Sequence, residues 1–186
     1  LPIQSGSDNI LKKMNRRHTA SEYLKIIELV RKYCENIAIS SDFIVGYPGE
    51  TKSDHKKTLD IINEVKFASS YSFIYSERPG TKSSELNETV EENEKKTRLY
   101  EIQHRLNHHQ LIFNKNMENL DIPVLITDKN KNNQLLGRSP YNQTVYINEE
   151  NLTFKKHQEK FIGSMLNVKI IKSNQNSLLG TFTKNA

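Results

Sequence analysis

Ser41-Asp42-Phe43-Ile44-Val45-Gly46-Tyr47-Pro48-Gly49-Glu50-Thr51 is the stretch that decides the fold. It is the second end of a strand-like run from Ile37 to Val45. Successive apolar residues there cover both faces, as in a buried parallel strand. Glycine and proline at positions 46–49 then break it. Thr51 and Asp54 open a helix that carries Leu59, Ile62 and Val65. Upstream, Thr19-Ala20-Ser21-Glu22 spells a capping box, with Thr19 as N-cap and Glu22 reaching back. Tyr23, Ile26, Ile27 and Val30 follow at i, i+3, i+4 and i+7, one apolar helix face. Tyr71-Ser72-Phe73-Ile74-Tyr75 is the next strand. Strands alternating with helices of this length imply βαβ units, a parallel sheet and right-handed crossovers.

A long polar helix is expected from about Glu92 to Glu118, with Leu99, Ile102, Leu106 and Phe113 on one side. Beyond it the period changes. Val124-Leu125-Ile126, Thr144-Val145-Tyr146-Ile147, the run Met165 to Ile171, and Leu178 to Phe182 are short β-rich segments between Asn/Lys/Gly turns. They read as a small antiparallel barrel or sandwich. The expected domains are 1–113 and 114–183. Asp128-Lys129-Asn130-Lys131-Asn132-Asn133 reads as a hairpin loop.

The chain has 186 residues and a net charge of +5. No run reaches the ~18 apolar residues of a membrane span. The start, Leu1-Pro2-Ile3-Gln4, has no Met and no basic leader and opens inside a strand, which is the expectation for a fragment without a signal peptide. Residues 1–113 carry 17 basic and 16 acidic side chains; residues 114–186 carry 10 and 6. The basic surplus therefore sits in the β-rich part, as a polyanion partner would require, although a lysine-rich soluble surface explains it as well. The single cysteine, Cys34, rules out an internal disulfide, fits a reducing, cytoplasmic setting, and cannot hold an iron–sulfur cluster on its own. At the end of an apolar helix it reads as a small buried residue.

In parallel α/β folds ligands bind beyond the C-terminal strand ends. Three segments fall there: Gln4-Ser5-Gly6-Ser7-Asp8, Gly46-Tyr47-Pro48-Gly49-Glu50, and Ser76-Glu77-Arg78-Pro79-Gly80-Thr81. Small residues in the first let a ligand approach the backbone; an ordinary strand–helix turn reads the same way. Ile44 and Val45 offer an apolar surface to a flat ring, with Gly46 allowing a tight backbone. Arg16, Arg17 and Arg78 could add cations at the rim or simply be solvated. His104 and His108, at i and i+4, share a helix face, but no third metal ligand accompanies them, so no metal site is expected.

Taken in order, Leu1 to Ser7, Met14-Asn15-Arg16-Arg17-His18-Thr19, Ser41 to Thr51, Tyr71 to Ser76 and Arg78-Pro79-Gly80-Thr81 resemble the second half of a radical S-adenosylmethionine barrel of the MiaB-type tRNA methylthiotransferase family. Gly137-Arg138-Ser139-Pro140-Tyr141-Asn142, followed by Val145, resembles that family's C-terminal TRAM domain. The resemblance implies the C-terminal part of a TIM-like parallel β/α barrel, then a small antiparallel β-barrel. It implies transfer of a methylthio group to carbon 2 of N6-isopentenyladenosine beside the tRNA anticodon, with S-adenosylmethionine and 4Fe-4S clusters. Gln4 and Ser5 would face the cofactor's sugar or methionine end. Ile44, Val45 and Gly46 would pack near its adenine, and Arg16 would lie at the rim. Independently of the resemblance, the basic surplus puts Lys129 and Lys131 in one loop, Lys155, Lys156 and Lys160 in another and Arg138 after a glycine at a turn, cations that could converge at one end of the barrel on a tRNA backbone; Tyr141 would stack on a base, and Tyr146 would either stack or belong to the core. No catalytic residue is assigned. The family's Cys-x3-Cys-x2-Cys motif is absent, so a polypeptide carrying the missing half is an expected partner. A second reading is a non-catalytic RNA-binding module. A third is an unrelated TIM-type enzyme using Asp42 and Glu50 as an acid–base pair.

Overall fold

The computed structural model describes residues 2–77, 79–80, 86, 90–132, 134–148 and 158–183. Arg78, Thr81, Lys155 and Lys156 lie outside the described residues. The chain divides into two compact units, Leu1–His109 and Gln110–Ala186.

The first unit contains α1 (Asp8–Lys13), α2 (Ala20–Tyr33), β1 (Ser40–Val45), α3 (Lys52–Val65), β2 (Ser69–Ile74) and most of α4 (Glu92–Lys115). Both expected helix starts form capping boxes. Thr19 and Glu22 exchange bonds at the head of α2, and Thr51 and Asp54 do so at the head of α3. β1 and β2 pair in parallel, with Phe43 beside Ser72 and Val45 beside Ile74. Gln4 adds an isolated parallel bridge to Phe43 on the other side of β1.

One face of this sheet packs on the helices. Phe43 and Val45 are fully buried there with Ile3, Ile62 and Phe67, and Phe43 meets Phe67 edge to face at 5.3 Å. The other face carries Tyr71 and Phe73, which are 70% and 54% exposed and stack at 6.5 Å. That is the uncovered apolar face expected of an open parallel sheet.

Two details differ from the sequence reading. The strand begins at Ser40, not Ile37, because Ile37 donates its amide to Cys34 O in the turn after α2. Cys34 is exposed, not buried. It is the C-cap of α2, where the backbone has left helical geometry (φ −144°) and the apolar face no longer governs which way a side chain points.

The second unit is a closed barrel of β3 (Asp121–Lys129), β4 (Leu135–Arg138), β5 (Thr144–Ile147), β6 (Met165–Ser173) and β7 (Ser177–Phe182), in the order β3-β4-β5-β7-β6. β6 pairs back to β3 and closes it. The expected barrel is thus present, but not wholly antiparallel: β5 and β7 run parallel. The connection through β6 returns the chain to the β5 edge in the same direction. Inward residues Val124, Ile126, Leu135, Val145, Val168, Ile170 and Leu178 form the core, which Met117 also joins. Gly137 lets two strands approach closely. A Cβ there would lie 2.3 Å from Val124 Cγ1 and 2.7 Å from Leu125 O.

Candidate cofactor and nucleic-acid sites

The first candidate site is the C-terminal end of β1 and the segment bridged to it. Gln4 has φ +73°, donates its amide to Asp42 O at 3.0 Å and accepts from Ile44 N–H at 2.9 Å. The next three residues are fastened to α3. Gly6 N–H donates to Thr58 Oγ1 at 2.9 Å, and Ser5 Oγ lies 3.3 Å from the same oxygen. Ser7 Oγ donates to Asp54 Oδ1 at 2.5 Å. Ser5 is fully buried, so its hydroxyl is committed inside the fold. A Cβ on Gly6 would stand 2.4 Å from Lys57 O.

Asp54 is buried, and burial alone would raise its pKa. Hydrogen bonds from Ser7 and Thr51, with Lys57 nearby, outweigh that and hold the carboxyl below its ordinary value. A carboxyl with a depressed folded pKa stabilises the fold above its unfolded value, about 3.9. That contribution fades as pH falls through the lower folded value. Ser7→Ala is therefore expected to flatten the acid limb of the stability–pH curve, measured by denaturant titration from about pH 6 to pH 3. An unchanged limb would show that Asp54 is not its source.

Beyond Val45 the chain turns sharply. Gly46 adopts φ +70°, and a Cβ there would meet Lys95 Cγ at 2.5 Å. Its amide donates to Glu50 Oε2 at 2.7 Å. Arg98 Nη1 donates to that same oxygen at 2.8 Å and to Glu50 O at 2.9 Å. Glu94 Oε1 takes two further bonds, from Arg98 Nε at 3.1 Å and Nη2 at 3.0 Å. The Arg98 and Glu50 side chains are 5% and 1% exposed. Tyr47 OH donates to Lys13 O at 3.0 Å, and its ring meets Tyr75 edge to face. The turn is thus held at both ends.

The sequence reading found the turn but missed Arg98. Its spacing from Glu94 marks a helix-face pair; its link to Glu50, 48 residues away, leaves no local trace. Glu50, engaged in this way, is not a free general base, and the pairing with Asp42 is set aside.

Of the expected cofactor residues, Gln4, Ile44 and Gly46 come together through the bridge. Val45 is near them in sequence, but its side chain is fully buried on the helix side and its carbonyl accepts from Tyr75 N–H. Arg16 is exposed just after α1. The fit to S-adenosylmethionine is therefore partial: half-buried Ile44 remains to make contact, whereas the Gln4 backbone is taken up by β1 and Gly46 is buried beneath Lys95. An iron–sulfur cluster does not fit. Cys34 is the one cysteine, and no group of three potential metal ligands occurs among the described residues.

The second candidate site lies on the barrel. Arg138 follows Gly137 within β4, not in a turn as expected, and is exposed. Its Nη1 donates to Thr144 Oγ1 at 2.9 Å and Asn142 O at 3.2 Å, which fixes the guanidinium. Across the strands its neighbour is Leu125, and the next is Met165. Both are exposed apolar residues, at 39% and 62%. Tyr141 is half-buried against Phe113, edge to face at 5.3 Å. Tyr146 is half-buried on β5. Lys129 ends β3 opposite Leu135, and Lys131 lies in the turn that follows. These lysines and Arg138 therefore sit at opposite ends of β4, about 10 Å apart along the strand. A hairpin turn and the next turn of a meander cannot share one end.

Residues 1–62 match the Radical SAM superfamily and residues 115–183 the TRAM domain. The chain is 47% identical, over 97% of its length, to a tRNA-2-methylthio-N(6)-dimethylallyladenosine synthase of Ehrlichia chaffeensis. It is 45% identical over the same share to the protein so named in Wolbachia pipientis wMel. Over its full length it is 45% identical to the one in Anaplasma phagocytophilum. It spans about 40% of the length of these relatives.

Proposed function

We propose that this chain, which matches the Radical SAM superfamily over residues 1–62 and the TRAM domain over residues 115–183, supplies a cofactor wall and an RNA-binding barrel to a tRNA methylthiotransferase. The reaction would place a methylthio group on carbon 2 of N6-isopentenyladenosine next to the anticodon. The observation that carries this reading is the order of the two family matches, inside a near-complete alignment at 45–47% identity. The domains would run 1–113 and 114–183.

S-adenosylmethionine together with a 4Fe-4S cluster would supply the radical chemistry. This chain's part is positioning. Gln4, Ile44 and Gly46 would form a wall at the strand ends, held rigid by Glu50 and Arg98, with Ser5 and Val45 supporting it from behind and Arg16 at the rim. The cluster's thiolates would come from residues beyond these 186, on this polypeptide or a second one. No helix among the described residues is long and apolar enough to cross a membrane. A cytoplasmic location, where tRNA is modified, is part of the proposal.

On the barrel, Arg138 would be a preorganised phosphate ligand, with Tyr141 holding the turn beside it and Lys129 and Lys131 as further cations at the other end of β4. The test is a titration of the full chain with tRNA at several salt concentrations. Affinity is expected to fall by roughly 0.7–0.9 log units per phosphate contact for each log unit of salt. Arg138→Ala should weaken binding to many tRNAs alike and reduce the slope by about one contact. Salt-insensitive binding would remove the barrel from the reading.

The lone, exposed Cys34 favours one alternative: by itself the chain is a non-catalytic RNA-binding module. A titration of the chain with S-adenosylmethionine separates the two: measurable binding refutes the module, and tRNA binding without it supports the module.

A further inference from the structure

Away from both sites, α3 and α4 flank an open groove of about 480 Å³. Asn63 of α3 faces it, with Glu101, His104, Arg105, His108 and His109 of α4. Asn63 Oδ1 accepts from Arg105 Nη1 at 3.3 Å and lies 3.4 Å from His109 Nε2. One amide oxygen thus sets a guanidinium and an imidazole side by side. The His108 ring stands edge-on to His109 at 5.6 Å. The lining carboxylate, Glu101, is already engaged by His55 Nε2 at 2.7 Å. Burial lowers the His109 pKa, and so do His108 and Arg105 on α4 and Lys66 at the end of α3. The charges that act on His109 are therefore of one sign, and an anion is what would balance them.

We propose that this groove is a phosphate-binding site, with Arg105 supplying a permanent charge and His109, beside the edge-on His108 ring, taking up a proton as the anion arrives. The geometry suits a compact tetrahedral oxyanion. A guanidinium offers a fork of donors, and an imidazolium donates from both nitrogens. His104, one turn before His108, extends the same wall. Binding would take up a proton, so it is favoured at acidic pH and lost as pH rises. The phosphate could be a diester of an RNA backbone or belong to a small phosphorylated molecule; the chemistry of recognition is shared. The inference does not depend on the barrel or the strand-end site.

The test uses the full chain with inorganic phosphate as probe, read through the imidazole NMR resonances. His108→Gln and His109→Gln assign the signals. At pH 6, phosphate is expected to shift both resonances and raise the His109 titration midpoint. At pH 8 binding should be about tenfold weaker, since a required proton must be supplied. Arg105→Ala should weaken binding about tenfold at pH 6, the loss of one charge-assisted bond. Arg105→Lys, which keeps the charge, should retain most of it. Displacement of phosphate by a short RNA duplex would identify the backbone diester as the natural ligand. Displacement by adenosine monophosphate but not by the duplex would identify a small phosphorylated one. Absence of any shift at pH 6 would overturn the proposal. So would binding by Arg105→Ala equal to the parent, or equal losses in Arg105→Ala and Arg105→Lys.

Discussion

Arg98→Ala is expected to destabilise the first unit by about 3–5 kcal/mol, the cost of leaving a buried carboxylate without its partner. Glu50 is that carboxylate. Its side chain is 1% exposed, and its remaining polar partner at Oε2 would be the Gly46 amide. Water cannot easily replace the guanidinium without opening the turn. Glu50→Gln should cost less, because an amide oxygen can still accept from Gly46 and no charge is stranded. In Arg98→Met with Glu50→Leu the stranded charge is gone, and much of the loss should return. Denaturant unfolding followed by tyrosine fluorescence measures all three. A loss under about 1 kcal/mol in Arg98→Ala would mean the pair is wet in solution and does not hold the turn.

The second large effect is at Phe43. Truncation to Ala removes a fully buried ring from between the helices and its edge-to-face partner Phe67, and is expected to cost about 3–5 kcal/mol. Its strand carries both the Gln4 bridge and the Ile44–Gly46 end, so the strand-end geometry should loosen with it. Faster amide exchange at Ile44 than at Val145 in the barrel would report that loosening. Phe43→Leu keeps most of the volume and should cost less than half as much. Equal exchange at Ile44 in parent and Phe43→Ala would show that the bridge does not rely on this ring.

Much of this architecture was legible in the sequence because it is written locally. Thr19 with Glu22 and Thr51 with Asp54 announce two helices within four residues each. The apolar run at 43–45 before Gly46 announces a buried strand. What escaped the sequence depends on partners far along the chain. Glu50 looks like any loop carboxylate until Arg98 arrives from α4. Cys34 looks buried because the helix before it is apolar, but the cap residue obeys a different backbone. The β5–β7 pairing is parallel because of how the chain crosses through β6, which no period-2 pattern records. On the barrel the β-rich runs were legible as short segments, whereas the separation of Lys131, in the turn before β4, from Arg138, at the far end of β4, follows from strand direction, which no local pattern records.

The place of β7 in the barrel order also bears on how the protein is made. β7 lies between β5 and β6 and bonds to both, and it is the last of the five strands to leave the ribosome. Until it emerges, β5 and β6 each present an open edge and the core lacks Leu178. Such edges are templates for pairing with other chains. The barrel therefore cannot be assembled piece by piece during translation. It waits, unsealed, for its final strand, and a chain truncated before Ser177 would keep the β5 and β6 edges open to pairing with other chains.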